Sequence, residues 1–394
     1  MAETRNIVVL GASFGGLSAA HYLAKHVLPQ LQQAKDTKYE LHIVDQSTHF
    51  WWRISAPRAM VSVPEMKHSA SFAPIMDGFK QYTSLKDSIH FHHASIESLD
   101  SVARTVTFKG SDGDVQDLKY YALVIATGTR SQTPLTTLQG PHTLSTQALE
   151  DMNEKLTKAQ TIIVGGGGPV AVETAGELAT HLGGKPKITL ISSSSKLLPK
   201  LRQSLSDKAQ KQLEKVGVTV KYGLRIESSH VQSDGRTEVK LTNGETLLAD
   251  VYIPAVGVTP NTEFLPSKLK QSDGYVKTNA QTLRVDDAGP RVYAVGDVAG
   301  VDKGGVLNLY SSLPVAGANM RHDLFAAANV GSGTEKTYQY KDSETQVVPV
   351  GAKTGVGAFN GWQLPGFAVS MIKGKDYMVK NMPEITQGTK WAKA

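Results

Sequence analysis

The sequence predicts an α/β protein of two parallel-sheet units with a small C-terminal part. Three observations carry this. Two segments far apart in the chain each read strand, glycine-rich turn, helix, strand. Three further apolar, β-branched runs end in small-residue turns, as additional buried strands of such sheets do. The composition is that of an ordinary globular chain, with 394 residues, 40% hydrophobic and 20% charged, enough for two or three domains.

The first unit opens with the apolar residues 6–10. Gly11-Ala12-Ser13-Phe14-Gly15-Gly16 follows, and residues 17–26 then place Leu17, Ala20 and Leu23 on one helical face. A second strand, residues 41–44, ends at Asp45. This is the dinucleotide-binding (Rossmann-like) βαβ pattern. Gly11 permits the sharp turn, a small residue at 13 lets backbone N–H groups approach a pyrophosphate, and Gly16 lets helix and strand pack closely. The helix N-terminus attracts phosphate charge, and Asp45 can accept hydrogen bonds from ribose hydroxyls. Ser13 stands where glycine is usual; it is small and can itself donate to a phosphate. The interval from Gly11 to Asp45 is longer than the usual ~20 residues, and residues 29–38 read as the surface insertion that lengthens it.

The second unit repeats the pattern. Residues 161–164 form a strand, Gly165-Gly166-Gly167-Gly168-Pro169-Val170-Ala171 the turn, residues 172–181 a helix and residues 187–191 the next strand. Gly166, Gly168 and Ala171 take the three fingerprint positions. No acid ends this second strand. Ser192-Ser193-Ser194-Ser195 stands there instead, with Lys196, Lys200 and Arg202 beyond. An acid would repel a 2′-phosphate, whereas Ser with Lys or Arg would accept one, so NADPH as well as NADH is expected to fit.

The closing strands come next. Residues 121–125 run into Ala126-Thr127-Gly128, residues 251–256 form the analogue in the second half, and residues 291–295 run into Gly296-Asp297. In this order, around two glycine turns, the chain resembles the pyridine-nucleotide-linked flavoprotein reductases over almost its whole length. Within that pyridine nucleotide-disulfide oxidoreductase superfamily it is most similar to the apoptosis-inducing-factor-like, mitochondrion-associated flavoproteins, the group of the ferroptosis suppressor. It is more distantly similar to type II NADH dehydrogenases. Residues 44–50 with Arg58, residues 172–178 and residues 351–366 carry the resemblance.

The resemblance implies a glutathione-reductase-like arrangement. FAD would occupy a discontinuous domain of residues 1–150 and 265–338, and NADH or NADPH an inserted domain of residues 151–264. Residues 339–394 would cap the flavin site. It implies FAD contacts from Gly11, Ser13, Phe14, Gly15, Gly16, Asp45, Arg58, Ile96, Ala126, Gly128, Gly296 and Asp297, and nicotinamide-nucleotide contacts from Gly166, Gly168 and Ala171. Glu173 would face the nicotinamide–flavin stack and orient the nicotinamide amide. A helix opening near Leu309, with Pro314 near its first position, would point its positive end at the flavin. Hydride would pass from NAD(P)H to the flavin and on to a small-molecule acceptor, a quinone by resemblance.

Cys is absent from all 394 residues. That excludes a redox dithiol, a Cys nucleophile and a thiolate metal site. Two adjacent tryptophans on a strand cannot share a face, so at least one of Trp51 and Trp52 is expected to line the acceptor cleft, with Trp362 on its far side. The family is more polar there, which leaves room for a flavoenzyme tailoring an aromatic metabolite. His90, His92 and His93 alternate along a strand with no carboxylate cluster beside them in sequence, so no metal is expected.

The formal charge is +6, with 42 Lys and Arg against 36 Asp and Glu. The excess is spread thinly, which makes a nucleic acid an unlikely partner and weakens the other-class reading of a cell-death-linked signalling or DNA-binding flavoprotein. No apolar run reaches the ~20 residues of a membrane span. The expectation is a cytoplasmic protein, with peripheral membrane contact open to its basic, Met-containing C-terminal part.

Overall fold

The computed structural model describes residues 3–302, 304–331 and 333–393. Its largest sheet has seven strands. In spatial order they are Val292–Ala294, Ala122–Ile125, Glu3–Leu10, Thr37–Asp45, Ile89–Asp100, Thr105–Gly110 and Val115–Lys119. The first five are parallel, and the last three form an antiparallel extension. The near-continuous apolar character of residues 7–10 and 122–125 follows, since both strands are covered on both faces. A second sheet has four parallel strands, in the order Val218–Lys221, Lys187–Ile191, Thr161–Gly165 and Val251–Pro254.

The helix Phe14–His26 packs one face of the first sheet together with the long helix Val306–Ala328. The two approach so closely that a Cβ on Gly317 would lie 2.6 Å from the Tyr22 ring. Leu17, Leu23, Leu309 and Leu313 are buried between them, each contributing about 1.5–3 kcal/mol. The helix Pro169–His181 covers the second sheet the same way, and the Gln203–Lys215 helix completes that layer.

Several expectations shift. The helix near Leu309 opens earlier, at Val306, so Pro314 lies inside it rather than near its start. The boundary at residue 150 falls within the helix His142–Leu156. Its buried Leu149, Met152 and Leu156 belong to the second core, so this helix goes with the second sheet. The C-terminal part begins with a three-stranded sheet, Gln346–Pro349, Gly355–Phe359 and Trp362–Gln363, and continues in short helical turns. Val348, Val350, Val356 and Tyr377 of this part pack into the second core, while Ile385 and Trp391 pack into the first. The C-terminal part therefore straps the two units together. Among the described residues no helix is long and apolar enough to cross a membrane.

Candidate functional site

The glycine turns sit where the parallel strands end. Gly11 has φ +94°, and a Cβ there would fall 2.5 Å from the Ala126 carbonyl oxygen; one on Gly16 would fall 1.7 Å from that of Gly11. The backbone therefore turns in a space that only hydrogen can occupy. The helix Phe14–His26 starts here, and its N-cap Ser13 makes no side-chain cap. Asp45 ends the adjacent strand. Its carboxylate accepts from Ala12 N at 2.5 Å and Ser47 N at 2.7 Å. Burial nevertheless pushes its pKa up to about 6.

A cleft opens at this turn, lined by Ser13, Phe14, Gly15, Asp45, Trp51, Ala126, Gly128, Gly296 and Asp297, with Gly305 and Val306 at the start of the long helix. Asp297 is held by Arg53 Nη2 at 2.6 Å and Gly305 N at 2.7 Å. The cleft continues past Asp45, Thr127 and Asn261 into a pocket walled by Gly11, Ala94, Ser95 and Ile96. The continuous groove thus runs from the N-terminus of the Val306–Ala328 helix to Ile96.

The second turn is built alike. Gly166 has φ +126°, and a Cβ there would lie 2.2 Å from the Ala255 carbonyl oxygen. Gly168 is the N-cap of Pro169–His181 and faces open space. Its cleft, about 940 Å³, is lined by Gly166 to Val170, Glu173, Ser193, Ser194, Arg225 and Lys373, a size in the usual range for small-molecule sites. Arg53, Ile54, Thr129 and Asp297 line both clefts. The two grooves therefore meet side by side at these four residues.

Glu173 lines the second cleft, 3% exposed and bonded to Lys373 Nζ at 2.5 Å. Burial raises its pKa to about 7 even though Lys373 opposes the shift. One turn along the same helix, Glu177 is fully buried. Burial alone would raise it, yet hydrogen bonds from His181 and Arg58 hold it below the ordinary carboxylate value.

Not every expected residue reaches a cleft. Arg58 is 0% exposed and lines neither groove. It donates to both oxygens of Glu177 at 2.9 Å, and to the carbonyls of Gly374 and Lys375. It is an interdomain clamp rather than a nucleotide contact, a role invisible without the long-range fold. Gly16 and Ala171 are also absent from the walls; they let helix and turn pack.

The alternation argument for the tryptophans holds only in part. Their rings do diverge, but each enters a core: Trp51 stacks on Phe72 in the second, and Trp52 packs in the first with Nε1 donating to Tyr377 O at 2.8 Å. Only Trp51 also touches the cleft, with its Nε1 buried and unpartnered. Trp362 is 82% exposed on the outer hairpin and lines none of the grooves described above.

The cations expected beside the serine loop are engaged elsewhere. Lys196 Nζ donates to Leu201 O, and Arg202 pairs with Glu344. Ser192 is buried and accepts from Ser194 N. Arg225, missed from the sequence because it follows a different strand, takes the place at the cleft lip. Lys373 and Arg53 were likewise unreadable, each meeting its partner across some 200 residues or more.

Two glycine turns feeding adjoining grooves, with an acid at the end of the first unit's second strand, define a two-nucleotide oxidoreductase. The family model described as pyridine nucleotide-disulphide oxidoreductase matches residues 5–319, and the chain belongs to that family. It is 39% identical to oxidoreductase phnG of Penicillium herquei, over 99% of this chain and 97% of that one. It is 25% identical to ferroptosis suppressor protein 1 of Taeniopygia guttata, over 95% and 93%. The fold matches NDH2 of Plasmodium falciparum in complex with NADH, with TM-score 0.65, 12% identity and 98% of each chain covered. The protein is thus an FAD- and NAD(P)H-dependent oxidoreductase of this family, and it carries no cysteine.

Proposed function

We propose that the protein passes reducing equivalents from NAD(P)H through FAD to a small planar acceptor, with a quinone as the favoured class. The observation that carries this reading is the meeting of the two grooves at Arg53, Ile54, Thr129 and Asp297, with no thiol to take electrons onward. FAD supplies the hydride-accepting ring when bound. The chain supplies the rest. Ser13 and the N-terminus of Phe14–His26 bind a pyrophosphate, Asp45 accepts from ribose hydroxyls, and Ile96 lines the adenine end. Ala126, Gly128, Gly296 and Asp297 hold the middle of that groove. The N-terminus of Val306–Ala328 places roughly half a positive charge where negative charge develops. Gly166 and Gly168 admit the second pyrophosphate, and Glu173, neutralised in part by Lys373, orients the nicotinamide amide. Arg225 with Ser193 and Ser194 favours a 2′-phosphate.

The distant similarity to ferroptosis suppressor protein 1 supports a quinone-like acceptor. An aromatic metabolite is the alternative acceptor. Exposed Phe359, Trp362, Phe367 and Met371 beside Lys375 and Lys380 support peripheral contact of a cytoplasmic protein with a membrane. The test is stopped-flow bleaching of the yellow protein by NADH and NADPH under argon, followed by reoxidation with a quinone panel. Bleaching without reoxidation by any quinone overturns the acceptor assignment.

A further inference from the structure

The first sheet carries a second constellation, away from both grooves. Side chains alternate along a strand. Leu41 and Ile43 therefore enter the core beneath the helix Phe14–His26, while Glu40, His42 and Val44 face the other way. The parallel partner strand sets His90 beside His42 and His92 beside Val44. The fold thus gathers Glu40, His42, His90 and His92 on one face. A carboxylate does join the histidines, from a strand about 50 residues away, which corrects the expectation drawn from local spacing.

We propose that Glu40, His42 and His90 form a binding site for a divalent transition-metal ion of the zinc class, with His92 as a positioning residue. Glu40 Oε2 lies 3.4 Å from His42 Nε2 and 3.5 Å from His90 Nε2. Ligands about 2.0–2.1 Å from a tetrahedral zinc ion are separated by about 3.3–3.4 Å. Two edges of the polyhedron are therefore already set, and all three donor atoms lie within 4.8 Å of one another. The His42 and His90 rings are stacked with centroids 4.8 Å apart, and turning the half-exposed His90 ring closes the third edge. Both Nε2 atoms are buried and lack a hydrogen-bond partner, and His42 itself is 7% exposed. Such orphaned atoms are costly unless something meets them.

The surroundings agree. Lys38 binds Glu40 Oε1 at 2.5 Å, which leaves Oε2 to face the imidazoles. His42 Nδ1 lies 2.9 Å from His92 Nε2. With the proton on His42 Nδ1, donated to His92, Nε2 presents its lone pair, the outer-shell arrangement usual for metal-bound histidine. The other candidate cluster, His322, Asp323 and Glu335, lacks this character. Arg284 pairs with both of its acids and His322 Nδ1 meets the Gly333 carbonyl. Two imidazoles and one carboxylate suit zinc, nickel or copper and disfavour magnesium. Bound there, the ion would clip together the strands that end at Asp45 and run on to Ile96.

The test uses the full FAD-loaded chain, stripped with a chelator. Calorimetric titration with Zn²⁺ should show one equivalent, Co²⁺ should give visible ligand-field bands, and the unfolding temperature should rise until one equivalent is bound. Mg²⁺ should do none of these. Glu40→Gln and His90→Gln, both at partly exposed positions, should weaken Zn²⁺ binding at least tenfold while keeping the flavin spectrum of the wild type. His92→Gln should weaken it about 10–100-fold. His322→Gln should leave it unchanged. Absence of Zn²⁺ binding, or binding unmoved by Glu40→Gln and His90→Gln, overturns the proposal.

Discussion

Replacing Arg58 with methionine separates two roles that one residue could have. Its side chain and that of Glu177 are both 0% exposed, and they share two hydrogen bonds of 2.9 Å. Removing the guanidinium leaves a buried carboxylate with only His181 at 3.0 Å and the Tyr377 hydroxyl at 3.1 Å. Breaking a buried pair in this way costs about 3–5 kcal/mol. Two carbonyls, of Gly374 and Lys375, lose a donor as well. The groove walls do not include Arg58, so FAD affinity should stay within about threefold of wild type at low temperature, a change under ~1 kcal/mol. The assay pairs urea unfolding, followed by tryptophan fluorescence, with flavin absorbance after gel filtration. The midpoint should fall sharply while occupancy holds, and Arg58→Met with Glu177→Met should recover much of the loss. The sign of the pH effect follows from Glu177. Its folded pKa is held below the ordinary 4.5, so the pair stabilises fully above that pH and the contribution fades as pH falls further. A flavin-free Arg58→Met protein with an unmoved unfolding midpoint would refute the clamp and restore a cofactor contact.

Other expectations are as direct. Gly16→Ala should purify without flavin or fail to fold, because its Cβ would meet Gly11 O at 1.7 Å, whereas Gly128→Ala, with φ +65° but open space, should cost only about 1–2 kcal/mol. On the proposed role of Glu173 toward the nicotinamide amide, its ionised form is the acceptor and its pKa is raised to about 7, so KM for NAD(P)H should fall as pH rises through that value, and Glu173→Gln should flatten the profile. A KM profile identical in the mutant contradicts this. Arg225→Glu should lower the NADPH:NADH ratio of kcat/KM at least tenfold, about 1.4 kcal/mol; an unchanged ratio removes Arg225 from nucleotide choice.

Both nucleotide turns were legible because their physics is local. Gly11, Gly16 and Gly166 act through the backbone and Asp45 through a carboxylate that meets it, each within its own βαβ unit, and the structure places them at the strand ends where the sequence put them. The errors share a different cause. Arg58, Lys373 and Arg53 meet partners brought from distant segments, and no periodicity reports which charge will face which. The tryptophan argument used a sound rule about strand faces: Trp51 does touch the cleft, but Trp52 does not. This strand lies between two cores, so each ring finds an apolar home. The acid that faces the histidines was hidden in the same way, because Glu40 lies on a neighbouring strand and not nearby in sequence.

The order in which the seven strands appear has a consequence for biosynthesis. Glu3–Leu10 and Ala122–Ile125 are made early, yet Val292–Ala294, which pairs with Ala122–Ile125, emerges only after the entire second sheet has been translated. Gly296, Asp297 and the helix start at Val306 follow it and complete the first groove. On the ribosome, the second sheet is therefore complete while the first is still open on one edge, although Val348, Val350, Val356 and Tyr377 fill the second core only later. With FAD in the first groove, as proposed above, the cofactor can serve as a seal on a nearly finished chain, but not as a template on which the first half folds. Cells short of flavin should accumulate a species in which the middle of the chain resists protease and residues near the N-terminus do not.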